Sequence, residues 1–233
     1  MRKTLIAAAV AGTFCLPSAV MAQAAAPAAA PASPHTFTGN VGIVSNYIYR
    51  GISQTAGKPA IQGGFDYAHS SGFYAGTWAS NVSWVADNNW SATSAASNSL
   101  EIDIYGGYKG TITGDLGFDV GVLTYNYPGS NTSVGGTFIK PDSTEVYGAL
   151  TWKWLTVKYS HSTTSLFGWN QFGKTVNDKT NGSGYLEING AFDLGDGWGV
   201  SAHIGDQKIR GNGPASYTDY KLGVTKDVGF GVV

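Results

Sequence analysis

The chain has 233 residues, with 14 basic and 15 acidic side chains for a formal net charge of −1, and a single cysteine. So balanced a chain carries no basic footprint for nucleic acid, and one thiol excludes a disulfide framework or a cysteine metal cluster. Charged residues are 12% of the chain, about half the roughly 25% of an ordinary globular protein, and 33 glycines are about twice the usual share.

The chain opens on Met1-Arg2-Lys3, runs apolar from Leu5 to Val20 and closes on Val20-Met21-Ala22 before Gln23. This predicts a secretory signal peptide over 1–22, cleaved after Ala22, and not a membrane anchor. Cys15 lies inside it with no lipobox-like small pair, so the mature chain holds no thiol and no cysteine nucleophile. Residues 23–36 are rich in Ala and Pro, cannot bury a core, and read as an extended periplasmic linker. No apolar run after Ala22 approaches the roughly 18 residues of a spanning helix, which leaves 37–233 as one all-β domain.

From Thr38 onward the chain alternates with period two in ten runs, 38–50, 60–69, 72–84, 99–109, 115–127, 143–153, 154–163, 184–194, 197–209 and 217–226. Each is near the roughly 9–11 residues of a tilted membrane strand. Long gaps (51–59, 85–98, 128–142, 164–183, 210–216) alternate with short ones (69–72, 110–114, 153–154, 194–197, 226–229). That rhythm predicts an up-and-down antiparallel transmembrane β-barrel, with short periplasmic turns at one end and longer extracellular loops at the other.

Side-chain parity adds a third regularity. When each strand's face is chosen by its apolar residues, for example Val41 and Ile43, Ile102 and Ile104, or Leu222 and Val224, the ionisable residues fall opposite. These are Arg50, Asp66, Glu101, Asp103, Asp119, Glu145, Lys158, Glu187, Asp193, His203 and Lys221, the candidate lining of a lumen. In the third run, Tyr74, Trp78, Val82 and Trp84 are assigned to the apolar face against Ala75, Thr77, Ala79 and Asn81. A soluble lipocalin-like barrel shows the same alternation with the faces reversed. Aromatic girdles favour the membrane form: Tyr108, Trp152, Trp154, Phe192 and Trp198 near the short turns, and Tyr47, Tyr49, Trp84, Tyr125, Tyr127, Tyr159 and Tyr220 toward the long loops. The chain runs past the tenth strand into Lys226-Asp227-Val228-Gly229, so about twelve strands are expected, with the last hairpin missing; a ten-stranded barrel with a short tail is the alternative.

The stretch from Ser45 to Asn81, SNYIYRGISQTAGKPAIQGGFDYAHSSGFYAGTWASN, resembles the opening motif of the TorF family of bacterial porin-like proteins, first described as conserved proteins of unknown function. Residues 101–110, 117–129 and 145–160 resemble its later hairpins, so the likeness covers most of the mature chain. It implies an outer-membrane barrel of a Gram-negative bacterium, with no established substrate and no catalytic residue to carry over.

Little chemistry competes with that reading. His35 falls in the linker, His69 in a short turn and His203 in the ninth run; His161, beside Ser160 and Ser162, is the best general-base candidate, and no G-x-S-x-G elbow supports it. Asp193-Leu194-Gly195-Asp196-Gly197 lacks the ligand spacing of a calcium loop and reads as a turn. The pairs Gly63-Gly64 and Gly106-Gly107 read as bends or close packing in the wall. No catalytic residue, metal or cofactor is expected. The expected function is passive diffusion of small hydrophilic solutes, with a weak cation preference because acids outnumber bases on the polar face. The alternatives are a non-conducting barrel with partner-binding or adhesive loops and a lipid-modifying enzyme. Expected partners are outer-membrane lipids, small solutes or ions, and the periplasmic chaperones and barrel-assembly machinery of biogenesis. In the opening hairpin Tyr47 and Tyr49 are expected to face lipid, and Arg50 to point inward and pair with Asp66 or another acid of the lumen, the alternative being a selectivity charge at the entrance.

Overall fold

The computed structural model describes residues 33–87, 98–129, 140–174, 178–229 and 231–233. The signal-peptide stretch and most of the linker lie outside these residues, as do parts of three long loops. The strands are β1 (His35–Val44), β2 (Ile48–Tyr49), β3 (Ile52–Ser53), β4 (Ala60–His69), β5 (Phe73–Asn81), β6 (Leu100–Thr113), β7 (Leu116–Asn126), β8 (Ser143–Trp152), β9 (Leu155–Ser162), β10 (Gly184–Gly195), β11 (Trp198–Lys208) and β12 (Tyr217–Lys226), with a helical turn α1 (Trp84–Asp87) after β5.

Apart from the two-residue pair β2–β3, the strands form one ten-stranded sheet in the order β1-β4-β5-β6-β7-β8-β9-β10-β11-β12. Every pairing is antiparallel and between neighbours in sequence, so the fold is all-β and up-and-down. β1 and β12 are its two edges and do not pair with each other. The tight turns lie at one end; Asp196 and Gly197, with φ of +51° and +78°, make the kind of two-residue hairpin that matches strand twist. The long connections lie at the other end. After β12 the chain turns back, and Val233 exchanges backbone hydrogen bonds with Lys226 at 2.8 and 3.0 Å.

The polar face is concave, because side chains of strands far apart in the sheet meet there. Tyr74 of β5 bonds to Tyr147 of β8, Tyr105 of β6 donates to Asp66 of β4, and Arg50 reaches both Glu145 of β8 and Gln207 of β11. The apolar face is therefore the convex one. Phe37, Val41, Ile43, Phe65, Leu222 and Val224 on it are each at least 66% exposed. This geometry is the reverse of the lipocalin arrangement, which turns its apolar face inward. Glycines permit the curvature: a Cβ at Gly63 or Gly64 would press on the backbone of the neighbouring strand, and one at Gly121 on Tyr147.

The structure departs from the expected strands in four places: β6 runs on to Thr113, through most of the gap read at 110–114, and the other three concern the first and third runs. β1 begins at His35, inside the stretch read as linker, because His35 already pairs with His69. The first run ends at Val44 rather than at residue 50. There the Asn46 side chain accepts hydrogen bonds from Ser53 Oγ (2.6 Å) and Thr55 Oγ1 (3.2 Å), and Gln54 N–H donates to Tyr47 O (2.7 Å), folding 45–55 into a hairpin of its own. The third run ends at Asn81 rather than 84, and its faces are exchanged. Trp78 is buried and Tyr74 bonds to Asp119 on the concave side, whereas Phe73 is 62% exposed on the convex side. Choosing that face by ring count was misleading, because a tyrosine that hydrogen-bonds a carboxylate belongs with the polar groups.

Candidate functional site

The hairpin between β1 and β4 folds into the concavity at the long-loop end and carries the densest set of polar contacts. Its turn is Arg50-Gly51, with φ of +45° and +76°. Gly51 is required twice over, since its φ is left-handed and a Cβ there would stand 2.5 Å from Asp219 Cβ. The hairpin thus leaves edge strand β1 and touches edge strand β12.

Arg50 is its central charge. Nη1 donates to Glu145 Oε1 at 2.9 Å and to Gln207 Oε1 at 3.1 Å, and Nη2 donates to Glu145 Oε2 at 2.7 Å. The guanidinium also stacks 4.2 Å from the Tyr185 ring and 4.9 Å from Tyr49. Burial works against its charge, but Glu145, Tyr49 and Tyr125 together outweigh that and hold Arg50 above its usual range. The expected partner class, an inward acid, is correct, and the acid is Glu145 rather than Asp66.

Tyr47 and Tyr49 do not face outward. Tyr47 is 6% exposed and donates to Glu101 Oε1 at 2.8 Å, while the Tyr49 hydroxyl lies 2.6 Å from that of Tyr125. Burial pushes the Tyr47 hydroxyl well above its usual range, and the Glu101 charge adds to it. Tyr47, Trp78, Val82, Val85, Tyr125 and Tyr127 form one core, with Trp84, Tyr49 and Phe167 packed against it. Five of the seven rings expected in the long-loop girdle are in this inward cluster; Tyr159 and Tyr220 alone of them are exposed on the convex face. The physical reason is the break after Val44, which takes Tyr47 and Tyr49 off the strand, and the odd parity of Tyr125 and Tyr127, which they share with Asp119.

The other candidate residues lie on the same concave side. Glu101, Asp103, Glu145 and Glu187 are buried beneath or beside the hairpin. Lys158 Nζ is 4.0 Å from Glu187 and 4.4 Å from the Tyr147 ring. His203 has Asn189 Oδ1 at 2.7 Å from Nδ1, and Asp219 Oδ1 and the Tyr185 hydroxyl at 3.0 Å from Nε2. Nearer the short turns, Asp66 accepts from Tyr105, and Asp119 from Tyr74. Asp193 is exposed at the rim, where it accepts from Gly195 N–H at 2.8 Å, and Lys221 lies opposite His203 in the β11–β12 register. Both oxygens of Asp103, a fully buried residue, have no hydrogen-bond partner among the described residues.

Sequence reasoning missed Asp219, Gln207 and the inward tyrosines 74, 105, 147 and 185. Asp219 had a signal, since it shares the parity of Lys221 two residues on, as Tyr105, Tyr147 and Tyr185 share that of Asp103, Glu145 and Glu187; Tyr74 had none, because a ring fits either face. The pairing His161 with Ser160 and Ser162 fails on parity: Ser160 and Ser162 are buried on the concave face, and the ring of His161 packs near exposed Tyr159 on the other. No group of three or more His, Asp, Glu or Cys side chains among the described residues is placed to hold a metal ion.

No curated protein and no solved structure matches the chain. Residues 28–233 match the model of a family described as bacterial protein of unknown function (Gcw_chp). With all of the ten-stranded sheet inside that match, the chain belongs to the Gcw_chp family.

Proposed function

We propose that this protein is an outer-membrane β-barrel of a Gram-negative bacterium, exported by a cleaved signal peptide, that serves as a porin-like channel for small hydrophilic solutes with a weak cation preference and no chemical step. The observation that carries the reading is the exposed apolar belt on the convex face combined with charges gathered on the concave one. Apolar side chains on that scale, left to water, would drive aggregation; in a bilayer they are satisfied. The five rings near the short turns, Tyr108, Trp152, Trp154, Phe192 and Trp198, are between 37% and 51% exposed and suit one membrane interface. The resemblance to the TorF family points the same way. The hairpin that links β1 to Asp219 of β12 supports closure of the wall along those edges.

On this reading the β2–β3 hairpin is the constriction of the channel. Acids on the concave face (Asp66, Glu101, Asp103, Asp119, Glu145, Glu187, Asp193, Asp219) outnumber Arg50, Lys158 and Lys221, and such an excess biases a pore toward cations. Reconstitution in planar bilayers tests this. Discrete conductance steps with a cation-selective reversal potential under a salt gradient are expected; anion selectivity would overturn the preference. The dense packing of the hairpin favours a second reading, a non-conducting barrel whose loops bind a partner, and a folded protein that gives no steps would establish it over the channel.

A further inference from the structure

The register of the first strand pair brings two histidines face to face at the short-turn end. His35, the first residue of β1, is the direct cross-strand partner of His69, the last residue of β4. Their ring centroids are 5.1 Å apart and their planes are inclined by 55°. His35 is exposed and His69 is half-buried, so the pair is open to an ion from solvent.

Each ring is oriented through Nδ1. That of His35 lies 2.9 Å from the Tyr67 hydroxyl, and that of His69 lies 2.7 Å from Ser71 Oγ, with the Ser71 N–H at 3.2 Å. Neither Nε2 has a hydrogen-bond partner among the described residues. The pair is also braced. His35 stacks on Tyr67 at 5.9 Å, Tyr67 packs on Phe37 at 5.0 Å, and Ser70 N–H donates to Pro34 O at 2.8 Å, tying the entry of β1 to the turn after β4.

The ring spacing admits a shared ligand once each ring turns its Nε2 toward it. A metal about 2.0–2.1 Å from an imidazole nitrogen lies about 3.2 Å from that ring's centroid, so rings 5.1 Å apart subtend about 105° at the metal, near the tetrahedral angle. An oxygen partner on the remote ring nitrogen is the support that ligating histidines usually have.

We propose that His35 and His69 form a two-histidine site for a divalent transition-metal ion, bound through both Nε2 atoms, with water completing the coordination. Imidazole suits Zn2+, Ni2+ and Cu2+, and Cu2+ binds most tightly by the general order of affinities. On binding, each ring carries its proton on Nδ1 and donates it to Tyr67 Oη or Ser71 Oγ, and the Ser71 N–H contact to His69 is given up. The site does not depend on whether the barrel conducts.

Calorimetric titration of the full-length protein in detergent with Zn2+ and with Cu2+ tests the proposal. One ion per chain is expected, Cu2+ tighter than Zn2+, with two nitrogen ligands in the electron paramagnetic resonance spectrum of the Cu2+ complex. His35→Asn and His69→Asn should each weaken binding at least about tenfold, and Tyr67→Phe by about tenfold, as the loss of an orienting partner typically does. His161→Asn, at the opposite end, should change nothing. Acid should release the ion, because a ligating imidazole must be unprotonated. The proposal is overturned if the wild type binds neither ion, if either single histidine variant that unfolds like the wild type binds equally tightly, or if His161→Asn weakens binding as much.

Discussion

The two ends of the sheet treat most of their aromatic side chains in opposite ways. At the short-turn end the rings of Trp152, Trp154, Phe192 and Trp198 stand outward on the convex face and are 42–51% exposed. At the long-loop end Tyr47, Trp78, Tyr125 and Tyr127 turn inward and are at most 6% exposed. The difference lies in what the chain does between strands. A two-residue turn keeps parity running to the strand's end, so an outward ring stays outward. The long connection after β1 folds back into the concavity, and its rings and Arg50 become the core of that end. A girdle inferred from ring position along a strand is therefore secure only where the turn is too short to fold inward.

The largest effects should come from the inward end. Tyr125→Ala removes a fully enclosed ring and should cost about 3–5 kcal/mol, whereas Trp152→Ala, at the outward end, should cost no more than about 1 kcal/mol in detergent; urea unfolding of the two variants measures the contrast directly. Arg50→Ala leaves the buried Glu145 carboxylate without its charged partner and should cost about 3–5 kcal/mol. Arg50→Lys should recover only part of this, because an ammonium cannot hold both Glu145 oxygens and Gln207 in one plane; full recovery would mean that charge alone suffices there.

Next in size is a test of the outward face. Val120, in the middle of β7, is 48% exposed on the convex side, and Val120→Arg should cost about 2–4 kcal/mol in lipid bilayers. No cost in bilayers would remove the membrane reading of the apolar belt. The smallest effect runs the other way: Asp103→Asn replaces a buried carboxyl, without a hydrogen-bond partner among the described residues, by an amide that carries no charge at any pH, and should raise the unfolding free energy at neutral pH by about 1 kcal/mol. A loss of stability would instead give that carboxylate a partner in the folded protein.

Much of this fold was legible in the chain. Alternation marked ten strands, gap lengths separated the two ends, and the charges on β6, β8 and β10 fell on one face, since period-two geometry ties each side chain to a side of the sheet. The third strand was not legible, because Tyr74 and Trp78 fit a polar interior as well as an apolar exterior. Nor was the end of the first strand, where Asn46 gathers Ser53 and Thr55 through contacts that no periodicity encodes.

The sequence by itself determined the strand order, the parity of the acids and the presence of an arginine among tyrosines, because these follow from local spacing. Only the tertiary structure decided which face is concave, that Arg50 meets Glu145 and Gln207, that Tyr47 and Tyr49 turn inward, and that His35 stands across from His69. Each of these depends on register and curvature summed over many strands, and a one-residue change in register would exchange every face.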